Sequence, residues 1–337
     1  MMNRREALAR LGAFMAAGVF GTTSRKAAAL TGTEMSNPPI IPPGAAGQPL
    51  TIAHITDVHI IDKFNAEQWV SKALHMIQSH PKKPSIILNT GDCVMDTARQ
   101  KKDEALHLWN VWKTTFKREN SLPLHTCLGN HDVWGDVMKL DTPLRNDPQF
   151  GRKLALDQLG MDSPYHSFDA GGWHIIMLDS VFVEKYNGHF AWVGRLDDKQ
   201  WAWLEADLAK TPADKPVLVC SHIPIMQVAS MNGMKPDKDR SYTFTERWMM
   251  GDAHKFVALF RKHPNVKLCL SGHLHSLDRL ELNYTTYICD GSVCGGKWRG
   301  ASPLHPPGFS ILTLNPNGSF EYEYIPIGWK EGVIPKV

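Results

Sequence analysis

Apolar and polar positions along the chain follow two regular patterns. One is a short continuous apolar run, typical of a strand buried inside a sheet, and the other is an apolar stripe at helical spacing. The runs predict six strands: Leu50–Thr56, Ser85–Thr90, Leu122–Leu128, Trp173–Leu178, Val217–Ser221 and Val266–Ser271. The stripes predict four helices: Ala66–Ser79, Arg99–Lys117, Asp198–Ala209 and Ala253–Lys262. Strands and helices that alternate in this way indicate an α/β layered fold.

The pattern changes after residue 278. Short segments separated by Asn, Pro and Gly predict four further strands: Arg279–Asn283, Thr285–Cys289, Phe309–Leu314 and Ser319–Tyr324. The turn signal Asn315-Pro316-Asn317-Gly318 joins the last two, so an antiparallel sheet is expected in the C-terminal part. Because the sequence shows neither an internal repeat nor a linker beyond residue 50, residues 50–337 are predicted to form one domain.

The first 29 residues differ from the rest and read as a targeting segment. Arg4-Arg5 precedes a mild apolar stretch rich in Ala and Gly, and Ala27-Ala28-Ala29 offers a cleavage site of small residues. The segment resembles a twin-arginine export signal peptide, although Asn3 replaces the usual Ser or Thr and Ala7 the usual Phe. A short basic amphipathic helix is the alternative interpretation.

The resemblance to an export signal implies a periplasmic or secreted protein, with the twin-arginine translocase as its partner during export. Residues 30–49 follow as a predicted Pro-rich linker, since Asn37–Gly44 contains four prolines. Such a segment is expected to be an extended tether without a core of its own.

Composition narrows the possible classes of function. The chain has 337 residues, 43% hydrophobic and 21% charged, which is ordinary for a globular protein. No apolar run reaches the roughly 18 residues of a membrane span, so no stable membrane anchor is expected. Residues 1–29 carry five positive charges and one negative charge, net +4, so the total of +3 leaves −1 for residues 30–337. This nearly neutral body argues against binding to nucleic acid or to anionic membranes.

Polar side chains follow five of the predicted strands, at the point where each strand ends. In open α/β sheets functional groups gather at the carboxyl ends of the strands, so the five clusters are expected to meet in one crevice. The clusters are Thr56-Asp57-Val58-His59, Thr90-Gly91-Asp92, Gly129-Asn130-His131-Asp132, Ser221-His222 and Ser271-Gly272-His273-Leu274-His275. Each alone has an ordinary explanation, because a single His after a strand is usually structural and Gly-Asp is a common turn. Their recurrence after five apolar runs indicates a functional site.

The residue types in these clusters suit metal ions. Asp57 and His59 are two positions apart, so an extended backbone would point both in one direction, and His273 and His275 repeat this spacing. Asp92 is the single candidate ligand of its cluster and follows Gly91. Its two carboxylate oxygens suit it to bridge two cations. Imidazole, carboxylate and amide oxygen without thiolate favour Zn, Fe or Mn. The candidate ligands are Asp57, His59, Asp92, Asn130, His222, His273 and His275, too many for one tetrahedral ion and about right for two ions that share Asp92.

The five blocks, in this order, resemble the signature of the calcineurin-like metallophosphoesterase family, which is Asp-x-His, Gly-Asp, Gly-Asn-His-Asp, His and Gly-His-x-His. With Leu178-Asp179-Ser180 the resemblance covers about residues 50–295. It implies an α/β fold that is a four-layer sandwich of two mixed β-sheets flanked by α-helices, and a centre of two divalent or trivalent metal ions. The implied ligands are Asp57, His59 and His275 for one ion, Asn130, His222 and His273 for the other, and Asp92 for both.

The resemblance also implies a reaction. The family hydrolyses phosphoesters by attack of a metal-bridging hydroxide, which two metal ions activate by withdrawing charge. His131 would be the catalytic histidine that is not a ligand and lies beside the leaving group. Asp132 would be the second catalytic residue, since it would orient His131 and raise its basicity.

Three departures from the family pattern bear on the metals. An acid or amide often lies three residues after the bridging Asp, where this chain has Met95, and the next acid is Asp96. Cys93 follows Asp92 directly. No tyrosine is found at the position where purple acid phosphatases carry their iron ligand. The identity of the metals therefore stays open among Fe, Mn and Zn.

The sequence gives less information about the substrate. An insert, residues 223–251, starts at His222 and contains five methionines and four basic residues, so it is expected either to overhang the site or to be an ordinary solvent-exposed loop. The glycine-rich turn Cys294–Gly300 could likewise bring Lys297 or Arg299 near a phosphate or be a surface turn. Exported relatives with a similar turn resemble class III cyclic nucleotide phosphodiesterases, which favours small phosphodiesters or phosphomonoesters.

Two other functions remain as alternatives. One is a nuclease of the same superfamily, against which the nearly neutral charge and the export signal argue. The other is a non-catalytic metal-binding scaffold, against which the presence of every candidate ligand argues. Four of the six cysteines lie in or just past predicted core strands and are expected to be buried, Cys93 and Cys127 could be reactive near the crevice, and Cys289 and Cys294 could form a disulfide.

Overall fold

The computed structural model describes residues 47–232, 234–300 and 305–336. The predicted export signal, residues 1–29, and most of the predicted linker, residues 30–49, therefore lie outside the described residues. Within the described part, no helix is long and apolar enough to cross a membrane.

Two mixed β-sheets, with strands numbered in chain order, lie at the centre of the fold. The first contains β1 (Leu50–Ile55), β2 (Ile86–Asn89), β3 (Leu124–Thr126), β12 (Gly308–Leu314) and β13 (Phe320–Pro326), in the order β13-β12-β1-β2-β3. The second contains β4 (His166–Ala170), β5 (Trp173–Met177), β8 (Val217–Cys220), β9 (Val266–Ser271), β10 (Asp278–Leu282) and β11 (Thr285–Cys289), in the order β10-β11-β9-β8-β5-β4. β1, β2 and β3 are parallel, as are β5, β8, β9 and β11.

The five described helices cover the outer faces of the two sheets. They are α1 (Ala66–Gln78), α2 (Lys102–Glu119), α3 (Arg152–Leu159), α4 (Asp198–Lys210) and α5 (Ala253–Lys262). Successive residues of a strand point to opposite faces, so Ile52 of β1 joins Ile175 of β5 in the core between the sheets, while Ile55 packs with Trp69 and Trp109 of α1 and α2. Helices α4 and α5 pack on the outer face of the second sheet. The arrangement is a four-layer sandwich, as predicted.

The helix predictions are confirmed to within a few residues. α5 has the predicted bounds, and α1 ends one residue before its predicted end. In α4, Asp197 is the N-cap, since its carboxylate accepts a hydrogen bond of 2.7 Å from the backbone N–H of Gln200. α2 begins three residues later than predicted, at Lys102, after a turn.

Several elements were not predicted. Strand β4, helix α3 and the hairpin of β6 (Val181–Tyr186) and β7 (His189–Gly194) lie on either side of the predicted strand Trp173–Leu178, in segments without a predicted element. The hairpin does carry a sequence signal, because Asn187-Gly188 is a turn in which both residues have positive φ, 47° and 77°. Strand β3 is shorter than predicted because regular pairing covers only Leu124–Thr126.

The C-terminal segments form two antiparallel hairpins, which belong to different sheets. β10 pairs with β11, and β11 pairs in parallel with β9 in the second sheet. β12 pairs with β13 and also with β1, at the middle of the first sheet. The prediction of antiparallel pairing in the C-terminal part is therefore confirmed within each hairpin.

Candidate metal centre

The five polar clusters lie at the carboxyl ends of parallel strands from both sheets. Those with Asp57, Asp92 and Asn130 follow β1, β2 and β3, and those with His222 and His273 follow β8 and β9. Oδ2 of Asp92 lies 3.5 Å from Nε2 of His222, and Oδ2 of Asp57 accepts a hydrogen bond of 2.8 Å from the backbone N–H of His273. The structure thus brings the predicted ligands of both sheets together; that they bind metal stays a prediction.

Two motif glycines are required by the close approach of neighbouring clusters. A Cβ on Gly129 would overlap the carboxylate and the backbone nitrogen of Asp92. A Cβ on Gly272 would overlap Oγ1 of Thr56 and the carboxylate of Asp57. A larger residue at either position would force two strand ends apart, so these glycines fix the spacing of the site.

Five of the seven candidate ligands have a left-handed backbone. Their φ angles are 51° at Asp57, 43° at His59, 53° at Asp92, 72° at His273 and 48° at His275. The expectation that an extended backbone aligns each pair is therefore wrong, because tight left-handed turns direct these side chains. A non-glycine residue in such a conformation costs about 1–3 kcal/mol and persists only when its surroundings hold it there.

Four imidazole rings are fixed by one nitrogen each on a backbone carbonyl. A carbonyl oxygen only accepts, so the nitrogen that faces it carries the proton and the other nitrogen offers a lone pair. The contacts are His59 Nδ1 to Met95 O at 3.1 Å, His222 Nδ1 to Thr90 O at 2.9 Å, His273 Nε2 to Arg247 O at 2.6 Å and His275 Nδ1 to Gly295 O at 2.5 Å. The remaining nitrogens all face the centre of the cluster.

The carboxylate oxygen and the imidazole nitrogens that face each other inside the cluster carry lone pairs and no proton. Oδ2 of Asp92 lies 3.3 Å from Nε2 of His59 and 3.5 Å from Nε2 of His222. Nδ1 of His273 lies 3.1 Å from the same nitrogen of His222. Nε2 of His59 is buried and has no hydrogen-bond partner in the described part of the chain. Cations on either side of Asp92 would satisfy these lone pairs, so the residues present fit a metal centre.

Asp57 and His275 lie close enough together for one cation to bind both. Nε2 of His275 lies 3.3 Å from Oδ1 of Asp57. Burial would raise the pKa of Asp57, but His275 outweighs it and holds that pKa well below its usual range. Burial would lower the pKa of His275, but the Cys294 thiol and Asp57 raise it well above 6.5. Metal ions compete with protons for such groups.

The other groups have the charge states that metal ligands need. Burial lowers the pKa of His59 well below 6.5 and that of His273 to about 4, so both rings are neutral near pH 7. Burial would raise the pKa of Asp92, but His222 and other nearby histidines lower it, so its carboxylate is ionised. Neutral imidazole and ionised carboxylate are the forms that bind divalent cations.

His131 lies beside the cluster, between an acid and a base. Its Nδ1 is 3.3 Å from Oδ1 of Asp96, and its Nε2 is 3.1 Å from Nζ of Lys297. Burial lowers the pKa of His131, but Asp92 and Asp96 outweigh it and raise that pKa, whereas Lys297 lowers it.

The predicted role of Asp132 in orienting His131 is corrected by the structure. Oδ2 of Asp132 accepts a hydrogen bond of 2.9 Å from the N–H of Gly129, and Oδ1 accepts one of 3.3 Å from the N–H of Val94. The fully buried Asp132 thus fastens two loops together, and Asp96 takes the place beside the imidazole. In the sequence, the observation that could have identified Asp96 is its position as the next acid, four residues after Asp92.

A buried chain of hydrogen bonds supports the centre from between the sheets. Oδ1 of Asp290 accepts from the hydroxyl of Tyr322 at 2.8 Å, and its Oδ2 lies 2.7 Å from Nδ1 of His54. Nε2 of His54 lies 2.9 Å from Oγ1 of Thr90. The carbonyl of Thr90 in turn holds His222, so β13 and β1 are linked to a candidate ligand.

The insert of residues 223–251 reaches the centre. Besides holding His273 through its carbonyl, Arg247 places its guanidinium 4.5 Å from the ring of Trp192 on β7, and that ring packs edge-on at 5.4 Å from His273. The backbone N–H of Gly194 on β7 donates a hydrogen bond of 2.6 Å to the carbonyl of Glu246. The contact with the site is thus made by Arg247, one of the four basic residues of the insert, and by the hairpin, which was not predicted.

The described cysteines are all buried and form no disulfide. Cys289 and Cys294 are therefore unpaired with each other, which leaves the suggested disulfide unformed. Burial raises the pKa of Cys93 and of Cys127, so neither thiol has the thiolate character that reactivity requires.

One further acid near the centre was missed. Asp136 is 1% exposed, and neither carboxylate oxygen has a hydrogen-bond partner in the part of the chain that the structure describes. Burial raises the pKa of Asp136 to about 8, with smaller effects of His131 and Asp96. Local sequence pattern gives no signal for this residue, because it follows the Gly-Asn-His-Asp block on an irregular loop.

The sequence of this chain is similar to one family model and to two curated relatives. Residues 50–277 match the family model described as calcineurin-like phosphoesterase. A protein of Nostoc sp. named 3',5'-cyclic-nucleotide phosphodiesterase is 24% identical over 284 residues, which cover 81% of this chain and 90% of that protein. A protein of Synechococcus sp. named probable cyclic nucleotide phosphodiesterase is 26% identical over 285 residues, covering 80% and 90%.

Solved structures share the fold at low sequence identity. A dimetal phosphatase from Danio rerio superposes with a TM-score of 0.57 at 15% identity, covering 80% of this chain and 94% of that one. A purple acid phosphatase from yellow lupin superposes with a TM-score of 0.54 at 15% identity, covering 83% and 52%. These similarities support the arrangement of sheets and helices described above.

Proposed function

The chain belongs to the calcineurin-like phosphoesterase family and is a metal-dependent phosphoester hydrolase, and from that premise we propose that it uses two metal ions to cleave small phosphodiesters or phosphomonoesters. The observation that carries this proposal is the position of Oδ2 of Asp92. It lies 3.3 Å from Nε2 of His59 and 3.5 Å from Nε2 of His222. A carboxylate approached by two such nitrogens suits a bridge between two cations.

The geometry supports a division of the ligands into two sets around Asp92. Asp57, His59 and His275 would hold one ion, and Asn130, His222 and His273 the other. The pairs within each set include Asp57 with His275 at 3.3 Å and Asn130 with His222 at 3.2 Å. Nitrogen and oxygen donors of this kind suit Fe, Mn or Zn.

The chain's own residues would position the ester and keep the side chains of the site in fixed orientations. When bound, the ions would supply positive charge for the phosphoryl oxygens and lower the pKa of the attacking water. The carbonyls behind the four histidines keep each ring aimed at the centre, so the charged groups need no reorganisation during the reaction. His131 lies on the side of the cluster that we assign to the leaving group.

A small substrate agrees with the surroundings of the centre. The body without residues 1–29 carries a net charge of −1, which gives no general attraction for nucleic acid. Two relatives are named as cyclic nucleotide phosphodiesterases, so cyclic nucleotides are the first small diesters to assay.

Hydrolysis of two synthetic esters tests the proposal. Protein stripped of metal and reloaded with Mn, Zn or Fe is assayed on bis(p-nitrophenyl) phosphate and p-nitrophenyl phosphate, which separates diester from monoester preference. We expect metal-dependent hydrolysis that Asn130→Ala abolishes and that Asn146→Ala, a change of an exposed residue, leaves intact. Activity that survives chelation, or that Asn130→Ala leaves unchanged, would contradict the proposal.

A plasmid-nicking assay with the same preparations tests the nuclease alternative. We expect no nicking, because the body without residues 1–29 has no net positive charge, whereas nicking that requires Asn130 would favour a nuclease.

We also propose export by the twin-arginine route to the periplasm or beyond. Arg4 and Arg5 before a mild apolar stretch support it. Replacing both by Lys is expected to leave the protein in the cytoplasm, as measured by fractionation, and unchanged export would reject the route.

A further inference from the structure

An indole ring and a guanidinium group lie together beside one of the candidate ligands. Trp192 on β7 packs edge-on against the imidazole of His273, with 5.4 Å between the ring centroids. The guanidinium carbon of Arg247 lies 4.5 Å from the centroid of the Trp192 ring. We call this pair the Trp192–Arg247 stack. Its two residues come from the β6–β7 hairpin and from the insert of residues 223–251, and neither segment carries a candidate ligand.

Backbone contacts hold the stack in place. The carbonyl of Arg247 accepts a hydrogen bond of 2.6 Å from Nε2 of His273. The insert is also tied to the hairpin at Gly194, whose N–H donates to the carbonyl of Glu246 at 2.6 Å and whose carbonyl accepts from the N–H of Gly251 at 2.7 Å. A surface that is fixed before binding loses little freedom when a ligand contacts it.

The guanidinium of Arg247 has N–H groups available for a ligand. With the residues that the structure describes it forms neither an ion pair nor a hydrogen bond, and its one contact there is the ring of Trp192. Arg247 is exposed and Trp192 is half-buried, so a small molecule can reach both side chains.

The position of the stack beside a candidate ligand distinguishes it from similar pairs. Three other arginines lie over aromatic rings: Arg195 over Phe182 at 4.7 Å, Arg279 over Phe320 at 5.5 Å and Arg299 over Phe64 at 5.1 Å. Within the described ranges, none of these three rings packs against a candidate ligand, whereas the ring of Trp192 packs against His273.

The stack lies at the mouth of the crevice, between the loops after β3 and β9. The carbonyl of Arg247 contacts His273, which follows β9. Burial raises the pKa of Asp136, on the loop after β3, to about 8, and the positive charge of Arg247 opposes this rise. The guanidinium is therefore within electrostatic range of the second loop, and a group attached to a phosphate in the crevice would meet the stack.

A planar aromatic group suits such a surface. Nucleobases stack on aromatic side chains and on the planes of arginine guanidinium groups, and the free N–H groups of Arg247 can also donate to acceptors on the edge of a base. A base joined to its phosphate through one sugar can lie on the stack while the phosphate lies among the ligands, because the indole adjoins His273 directly.

We propose that the Trp192–Arg247 stack binds the planar base of a nucleotide substrate, so that the enzyme selects nucleotides over base-free esters of the same sugar. Trp192 and Arg247 are then specificity-determining residues, and the phosphoryl chemistry belongs to the metal centre. This inference rests on the proposed phosphoesterase function. A guanidinium that contacted the phosphoryl oxygens instead would have an effect that does not depend on the base.

Two pairs of substrates that differ at the base test the proposal. One pair is adenosine 3′,5′-cyclic phosphate and the 3′,5′-cyclic phosphate of methyl riboside, and the other is the two corresponding 5′-monoesters, so either ester class can be used. For metal-loaded wild type we expect kcat/KM to be about 10–100-fold higher with the nucleotide. Arg247→Met and Trp192→Leu should each lower kcat/KM by about tenfold with the nucleotide and by less than about twofold with the base-free ester.

Controls separate stacking from an effect on the metal centre. Arg195→Met removes the same kind of contact from the same hairpin and should behave as wild type. Trp192→Phe keeps an aromatic ring and should keep part of the preference for the nucleotide. Metal content is measured for every variant, because Trp192 packs against His273. Arg247→Met keeps the carbonyl that holds His273, so it is expected to retain both metals; if Trp192→Leu loses metal, Arg247→Met and Trp192→Phe decide the outcome.

Three results would overturn the role of the stack. They are a wild type without preference for the nucleotide, a preference unchanged in Arg247→Met and Trp192→Leu, and equal losses on both members of a pair, which would place the guanidinium at the phosphoryl group. A wild type without metal-dependent hydrolysis of any ester, the synthetic ones included, would instead reject the proposed function itself.

Discussion

Asp92 is the residue on which both halves of the proposed centre depend. One of its oxygens meets two imidazole nitrogens, and the other accepts a hydrogen bond of 2.9 Å from the backbone N–H of His131. We expect Asp92→Ala to lose at least one metal ion and essentially all activity, because one carboxylate serves both ions. Metal analysis of purified protein measures this, with exposed Asp162→Ala as the control. Two ions retained by Asp92→Ala would show that Asp92 is not shared.

Asp96 and Asp132 have different roles that two substitutions can separate. Asp96→Asn weakens the hold on His131, so we expect lower turnover with little change in stability. Asp132→Ala leaves two buried N–H groups without partners, so we expect a loss of about 1–3 kcal/mol in the free energy of unfolding. Denaturation curves and steady-state rates measure both effects. The reverse outcome would restore Asp132 as the residue that orients His131.

We expect a substitution of His131 to lower the rate of turnover and to leave the metal content unchanged. His131→Ala removes the side chain that we assign to the leaving group, so we expect turnover to fall by about 10²–10⁴-fold while metal content stays at the wild-type value. Rates and metal analysis are measured on the same sample. Loss of a metal ion on this substitution would mean that His131 is a ligand.

At the scale of elements, the loop after β9 depends on a glycine. Gly272→Ala would force its Cβ into Thr56 and Asp57, so we expect the β1 and β9 ends to separate and metal affinity to fall. Titration of metal-free protein with Mn measures this affinity. Gly160→Ala, which has a positive φ of 68° but no atom within 4 Å of the added Cβ, is the control for backbone strain alone. Equal affinities in the two variants would contradict the steric explanation.

Strand β5 carries a histidine that makes the stability depend on pH. Nδ1 of His174 lies 2.7 Å from Asp169 on β4, and Nε2 lies 2.8 Å from Asp207 on α4. Burial lowers the pKa of His174, but hydrogen bonds to Asp207 and Asp169 outweigh it and raise that pKa above 6.5. The stabilisation is therefore fully present below about pH 6.5 and is lost as the pH rises through the higher pKa of the folded protein.

We expect His174→Gln to reduce the free energy of unfolding by about 1 kcal/mol near pH 6 and by less near pH 9. Urea denaturation of wild type and variant at both pH values measures the difference. Exposed His254→Gln serves as the control. A difference that does not change with pH would rule out the charged pairing.

Regular elements could be predicted from the sequence because their periodicity is local. α5 was predicted with its observed bounds, since its apolar stripe of Phe256, Leu259 and Phe260 packs on one sheet. Strand β4 could not be, because His166–Ala170 is only partly buried and lacks a clear alternation. The hairpin could have been found from Asn187-Gly188.

The sequence could predict only those residues of the candidate site that lie in short motifs at the ends of strands. All seven proposed ligands lie in such blocks and come together, whereas their left-handed backbone was not foreseen. Arg247, Asp136 and the choice of Lys297 over Arg299 depend on contacts between distant segments, and a single sequence does not record those contacts.

For the whole molecule, the metals are expected to stabilise the fold. Lone pairs that face each other across the centre repel until a cation separates them, so ions bind the folded chain in preference to the unfolded one. Metal at a thousand times its dissociation constant would add about 4 kcal/mol to the free energy of unfolding. Urea denaturation with added Mn and with a chelator measures this, and unchanged midpoints would contradict the proposed centre.

The positions of the ligands along the chain have a consequence for the order of folding. Asp57 and His273 meet across the two sheets although they lie 216 residues apart in sequence. No single sheet contains a complete set, so we expect a metal ion to bind only after the two sheets have packed together. Contacts absent from the folding transition state change the unfolding rate and leave the folding rate nearly unaltered. The ions would therefore bind only to a chain that has already folded, and they would slow its unfolding.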